Sequence, residues 1–233
     1  MAEIPDEVRN RLALVLDVDD LVEAARLARE LQPWFGVVKV GLELFSAAGP
    51  DAVVALADLG FTVFLDLKLC DIPTTVGRAA LVLGGLGAGY LTMHAFGGSV
   101  MLRAGTEGLA EGAASAGLPA PTALAVTILT SDDGAPPHVL GARVRTAMDG
   151  GCGGIVCAAD DVAEAKRLGP RLVAAVPGIR LLGADADDQA RAATPESALA
   201  GGADLLVIGR TVTKASDRAA AAAEIAAAVV AAA

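Results

Sequence analysis

Lysine is scarce in this 233-residue chain, with four residues against fourteen arginines. Aromatic residues make up 3%, with one Trp and one Tyr. No basic run and no basic–aromatic cluster occurs. With a net charge of −10, that composition argues against a nucleic-acid partner. It leaves an anionic ligand open, because a binding site is a local arrangement of charge. Cysteine is sparse and odd in number: Cys70, Cys152 and Cys157 cannot all pair with one another. This predicts a reducing, cytoplasmic compartment and no disulfide framework. Cys152 and Cys157 have no His or second Cys pair nearby and read as core thiols rather than metal ligands. The opening "MAEIPDEVRN" lacks the apolar stretch of a signal peptide. Charge is absent altogether from Ala79 to Leu102, a length that could span a bilayer. Six glycines and His94 interrupt that run, so a helix, a turn and a strand are expected there, and no membrane partner.

What the chain does have is grease, 54% hydrophobic residues against 20% charged ones, the balance of a packed globule. A chain of this size buries about 70% of its unfolded surface and needs no covalent staples. Short apolar runs recur at 12–18, 36–42, 62–68, 90–96, 122–129, 153–159, 172–179 and 204–210, often apolar on both faces as buried parallel strands are. Helical patterns alternate with them at 20–32, 49–60, 74–87, 99–117, 136–150, 160–169, 194–202 and 217–232, the first capped by Asp19 or Asp20. No linker long enough to divide the chain appears, so a single α/β domain over 1–233 is expected. Eight strands alternating with eight helices predict a (βα)8 TIM barrel. The rival, an open doubly wound sheet, would place a Gly-rich turn after its first strand, and "LDVDDLVEAA" contains no glycine.

Barrel chemistry gathers at the carboxyl ends of the strands and in the loops that follow. The polar residues of these apolar runs fall there. Asp17 ends the first strand, and Lys39 lies near the end of the second. Asp66 and Lys68 end the third, Asp71 is in its loop, and His94 ends the fourth. Thr130 and Ser131 follow the fifth, Arg180 follows the seventh, and Arg210 ends the eighth. Strand alternation puts Asp66 and Lys68 on one face, with Leu65, Leu67 and Leu69 on the other. The charged face must then be the barrel interior, where ionised groups survive only when paired. Lys39 on the neighbouring strand makes an alternating acid–amine array possible. The bland alternative is a pair of snorkelling or ion-paired structural lysines. Arg210, with Gly209 giving close backbone approach, suits a phosphate after strands seven and eight, and Gln189 could reach in from the long loop. "DADDQARAATPE" does not satisfy a calcium loop, since Ala190 stands where a glycine is needed. His94 reads as a hydrogen-bonded core group sooner than as a catalyst, and His138 as a surface residue.

Quoted in order, "LDV", "KVGLELF", "DLKLCDIPTTV", "MHAFGG", "VTILTS", "GGIVCAADD", "VPGIR" and "DDQARAATPESALAGGADLLVIGR" resemble the orotidine 5′-phosphate decarboxylase family over nearly the whole chain. The D-x-K-x-x-D core is shared with sister barrels, magnesium-dependent decarboxylases or aldolases of sugar phosphates. The added I-P-x-T, L-T-S, P-G-I-R and I-G-R segments favour the first family. Leu181 stands where many bacterial members have proline after the arginine. The resemblance implies decarboxylation of orotidine 5′-monophosphate to uridine 5′-monophosphate in de novo pyrimidine biosynthesis, with no metal and no organic cofactor. It implies that Lys68 is the proton donor and Asp66 the carboxylate beside the scissile group. Lys39 and Asp17 would hold ribose and complete the charge array. Asp71 and Thr75 would reach into a partner subunit's site, making a homodimer. Thr130 would contact the pyrimidine, and Arg180, Gln189, Gly209 and Arg210 would serve the phosphate. A barrel that only binds a ligand would need no such set of Lys39, Asp66, Lys68 and Asp71.

Overall fold

The computed structural model describes residues 4–132, 134–181 and 193–232. In chain order the elements are α1 (Asp6–Arg9), β1 (Leu12–Val15), α2 (Leu21–Leu31), β2 (Val37–Gly41), α3 (Leu42–Ala48), α4 (Pro50–Asp58), β3 (Thr62–Leu69), α5 (Pro73–Gly84), β4 (Ala88–His94), a 3-10 turn (Ala95–Gly97), α6 (Gly98–Ser115), β5 (Thr122–Val126), α7 (His138–Asp149), β6 (Gly154–Val156), α8 (Ala159–Leu168), β7 (Val173–Val176), α9 (Pro195–Ala200), β8 (Leu205–Ile208), α10 (Arg210–Thr213) and α11 (Arg218–Ala231). The strands pair in sequence order, all parallel, and β8 closes on β1. This is the expected (βα)8 barrel. Among the described residues, three short helices go beyond the sequence reading: α1, α3 and α10.

Side-chain alternation divides the core into two layers. Leu12, Leu14 and Leu16 face the helices, together with Val38, Val40, Val63, Leu65 and Leu91. Between them, Ala13, Val15, Val37, Phe64, Leu124, Ala175, Leu205 and Val207 fill the barrel interior. Helix ends are fixed by side chains where the sequence offers them. Asp20 accepts from the Glu23 N–H at 2.7 Å, and Asp217 accepts from the Ala220 N–H at 2.9 Å, each satisfying a first-turn donor that the helix leaves open.

The charge-free run 79–102 becomes the end of α5, β4 and the start of α6. No helix among the described residues is long and apolar enough to cross a membrane. Glycines let α5 and α6 meet backbone to backbone: a Cβ on Gly108 would strike the Gly77 carbonyl oxygen, and one on Gly112 the Leu81 carbonyl oxygen. Cys152 and Cys157 are buried and Cys70 is exposed. Burial pushes the Cys152 thiol up to about 11, which leaves it protonated and inert.

Candidate active site

The same alternation that packs the interior sets the charged groups at its mouth. Val15 lies opposite Lys39, Lys39 opposite Phe64, and Gly41 opposite Asp66. Val37 and Phe64 point inward, so Lys39 and Asp66, each two residues further on, point inward at the carboxyl-terminal end. Lys39 Nζ lies 3.4 Å from Asp17 Oδ1 and 3.3 Å from Asp66 Oδ2. Lys68 Nζ donates to Asp66 Oδ1 at 2.7 Å. Two acids and two amines thus form one continuous chain. Gly41 leaves room for it, since a Cβ there would lie 2.8 Å from Lys39 Nζ and 3.1 Å from Asp17 Oδ1.

Simple alternation does not carry Lys68 into place. The ladder between β3 and β4 shifts register between Leu65 and Leu69. Lys68 has φ of 50°, the one positive value of a non-glycine residue among the described residues. Left-handed backbone costs an L-residue about 1–2 kcal/mol, and such strain persists only where the surroundings hold it. The Lys68 N–H donates to Thr92 Oγ1 at 2.9 Å, and Thr92 Oγ1 donates to Asp66 Oδ1 at 3.0 Å.

Burial raises the pKa of the Asp66 carboxyl. The charges of Lys39 and Lys68, with hydrogen bonds from Lys68 and Thr92, outweigh burial, and the net shift is downward. His94 is shifted below its ordinary value by burial, then by the charges of Arg143 and Lys68, with Asp66 opposing. Its Nδ1 is buried without a hydrogen-bond partner.

Asp17, Lys39, Asp66 and Lys68 line a cavity of about 590 Å³. Val15, Phe64, Val126, Ile128, Val156 and Val207 form its apolar lining. Thr130, Arg180, Gly209 and Arg210 also line it. Arg180 is buried and donates to the Ile179 carbonyl oxygen at 3.0 Å, with Thr211 Oγ1 at 3.4 Å. The cavity therefore gathers an acid–amine array and the arginines Arg180 and Arg210, inside a chain whose net charge is −10.

Of the residues expected from sequence, Asp17, Lys39, Asp66, Lys68, Thr130, Arg180, Gly209 and Arg210 share this cavity. Asp71 and Thr75 do not line it. Both are exposed, and Asp71 Oδ1 accepts from the Ile72 N–H at 2.6 Å. Gln189 lies outside the described residues. Sequence reasoning passed over Glu23, Glu43, Lys214 and Arg218, which also line the cavity, and the buried Thr92. Lysine scarcity could have pointed to Lys214. Thr92 carries no such signal, because threonine is an ordinary strand former. Among the described residues no group of three or more His, Cys, Asp or Glu is arranged to hold a metal ion.

A closed (βα)8 barrel with paired acids and amines at its carboxyl-terminal mouth is a barrel enzyme with its chemistry in the usual place. The chain belongs to the orotidine 5′-phosphate decarboxylase / HUMPS family, whose model matches residues 10–225. It is 45% identical over 228 residues to orotidine 5′-phosphate decarboxylase of Anaeromyxobacter sp. (strain K), covering 93% of this chain and 97% of that protein. It is 42% identical over 231 residues to the protein of that name from Moorella thermoacetica, covering 94% and 92%. The crystal structure of orotidine 5′-phosphate decarboxylase from Lactobacillus acidophilus matches with a TM-score of 0.78 at 32% identity, over 94% of this chain and 99% of that one.

Proposed function

We propose that this chain, as one domain over residues 1–233, decarboxylates orotidine 5′-monophosphate to uridine 5′-monophosphate in the cytoplasmic synthesis of pyrimidines, without a metal or organic cofactor. The observation that carries this reading is the Asp17–Lys39–Asp66–Lys68 chain sharing one cavity with Arg180, Arg210 and a set of apolar side chains. Loss of CO2 from ring carbon 6 leaves a carbanion with no adjacent group to take up its charge. An ammonium fixed beside that carbon stabilises the developing charge and then protonates it. Lys68 is the donor, and its contact with Asp66 at 2.7 Å keeps the amine aimed. Asp66 stands beside the departing carboxylate, while Lys39 and Asp17 hold the ribose. Thr130 meets the pyrimidine. Arg180, Gly209 and Arg210, together with Gln189, take the phosphate, whose binding energy holds the ring against the amine.

The two carboxylates of the array are engaged with amines, Asp66 with both lysines and Asp17 with Lys39, which supports chemistry by protein groups alone. The names borne by the relatives support the same substrate. The enzyme acts as a homodimer, with Asp71 and Thr75 completing the partner's site; their exposure on this protomer supports that role.

The deciding measurement follows the absorbance change of orotidine 5′-monophosphate with and without EDTA. Equal rates are expected. Loss of activity on chelation would instead favour a magnesium-dependent sugar-phosphate decarboxylase or aldolase of the sister type. Lys68→Ala should keep the circular dichroism spectrum and melting transition of the parent and release no CO2; turnover near the parental rate would overturn the role of Lys68.

A further inference from the structure

Thr92 is fully buried at the inner end of β4. Its hydroxyl meets three groups: the Lys68 N–H at 2.9 Å, Asp66 Oδ1 at 3.0 Å and the Leu65 carbonyl oxygen at 3.5 Å. A hydroxyl has one hydrogen to give and lone pairs to receive. The Lys68 N–H must occupy a lone pair. The single hydrogen then goes to the closer, charged acceptor, Asp66. One oxygen atom thus ties the backbone of Lys68 to the carboxylate that its own amine contacts. The tie falls where the β3–β4 ladder shifts register and where Lys68 adopts its left-handed backbone.

We propose that Thr92 is a positioning residue for the proton transfer, holding the Lys68 backbone in its left-handed turn and the Asp66 carboxylate in the rotamer that receives Lys68 Nζ. This rests on the decarboxylation assigned above. Thr92 touches no substrate, since it does not line the cavity. It acts only through Asp66 and Lys68, so its removal changes the rate of the chemical step rather than the grip on the nucleotide.

Thr92→Val keeps the shape and branching of a buried strand residue and deletes the hydroxyl. Thr92→Ser restores the hydroxyl and deletes a methyl group. The valine variant should lose roughly 10- to 100-fold in kcat, the cost of a small misplacement of a reacting group, with KM nearly unchanged. The serine variant should recover most of that loss. Crystal structures of both variants supply a readout independent of turnover. With valine, Lys68 should leave the left-handed region, or its amine should part from Asp66 Oδ1; with serine, both features should remain. Parental kcat in the valine variant, a serine variant as slow as valine, or unchanged Lys68 and Asp66 geometry with valine would each overturn the proposal. Should the valine variant not fold, Thr92→Ala takes its place in the same comparison. If the unsubstituted chain does not decarboxylate orotidine 5′-monophosphate, the assigned reaction fails, and the crystallographic comparison still decides whether Thr92 fixes Lys68.

Discussion

At the scale of single residues, the site spends burial on charge. Lys39 is 9% exposed, and its amine meets only carboxylates among its ion pairs, Asp17 and Asp66. Removing one member of such a set leaves a buried charge uncompensated, so acid titration of Asp66 works against the fold. Its pKa lies below the ordinary 3.8. The unfolded chain therefore takes up that proton first, and the stabilisation is whole above about 3.8 and drains as pH falls through the folded value. His94 acts in the same direction over a higher window. Its folded pKa lies below 6.5, so the unfolded chain protonates first and stability declines as pH drops below about 6.5. Melting temperature should accordingly fall from pH 7 to pH 5, and His94→Asn should flatten that decline; parallel curves would contradict it. On the same cavity lining, Arg210→Ala should weaken binding of uridine 5′-monophosphate by about 1.5–3 kcal/mol, the scale of a charge-assisted hydrogen bond. Calorimetry should find uridine itself hardly affected, and equal losses for the two ligands would refute a phosphate role. Lys39, Asp66 and Lys68 were legible in the sequence because an ionised group inside an apolar strand has few tolerable explanations. Thr92, Gly41 and the left-handed backbone of Lys68 were not. Residue type does not encode a backbone angle, and a glycine or threonine in a strand announces nothing about the neighbour it serves.

At the scale of elements, the eight strands were legible because each is a short apolar run closed by a polar residue, and because alternation sorts them into two core layers. The helices α1 and α10 have four residues each, too few for a helical period to show. That matters for α10, which carries Arg210 onto the cavity lining and Thr211 against Arg180. The α3 segment follows Gly41 without a break, so an apolar run that reads as strand continues directly into helix. The pairing of α5 with α6 was also invisible, although its glycines were counted. Their spacing matters because each opens a place for a facing carbonyl: Gly84 for Leu109, Gly108 for Gly77 and Gly112 for Leu81. Both helices flank β4, so their approach bears on the strand that holds Thr92. Gly112→Ala gains helix propensity but sets a methyl group against backbone that cannot rotate away. Overpacking of this kind costs about 1–3 kcal/mol, more than the gain of about 1 kcal/mol from replacing glycine in a helix. Urea denaturation should show a net loss of stability, and a stabilised variant would mean that the helices separate freely.

At the scale of the whole molecule, the loops and helices on one side of the barrel leave apolar side chains in water. Ile72 is 66% exposed, Val82 61%, Phe96 77% and Val100 70%. They lie on the β3–α5 connection, α5, the turn after β4 and α6, next to the exposed Asp71 and Thr75. A two-fold contact through such a surface would bury each of these residues twice, once from each subunit. It would also carry Asp71 towards the partner's cavity, which its own chain leaves it outside. The proposed homodimer can be tested by mixing two inactive variants. In Lys68→Ala the proton donor is missing from every site, and in Asp71→Ala the carboxylate offered to the partner is missing. A hybrid dimer has one site with both defects and one with neither, because the intact Lys68 and the intact Asp71 come from different chains. Random reassortment of equal amounts makes hybrids about half of all dimers, so about a quarter of sites regain native composition. Turnover should rise towards a quarter of the parental rate on co-refolding, with each variant near zero alone. If Asp71 served the site of its own chain, every hybrid site would still lack one group, and mixing would restore nothing.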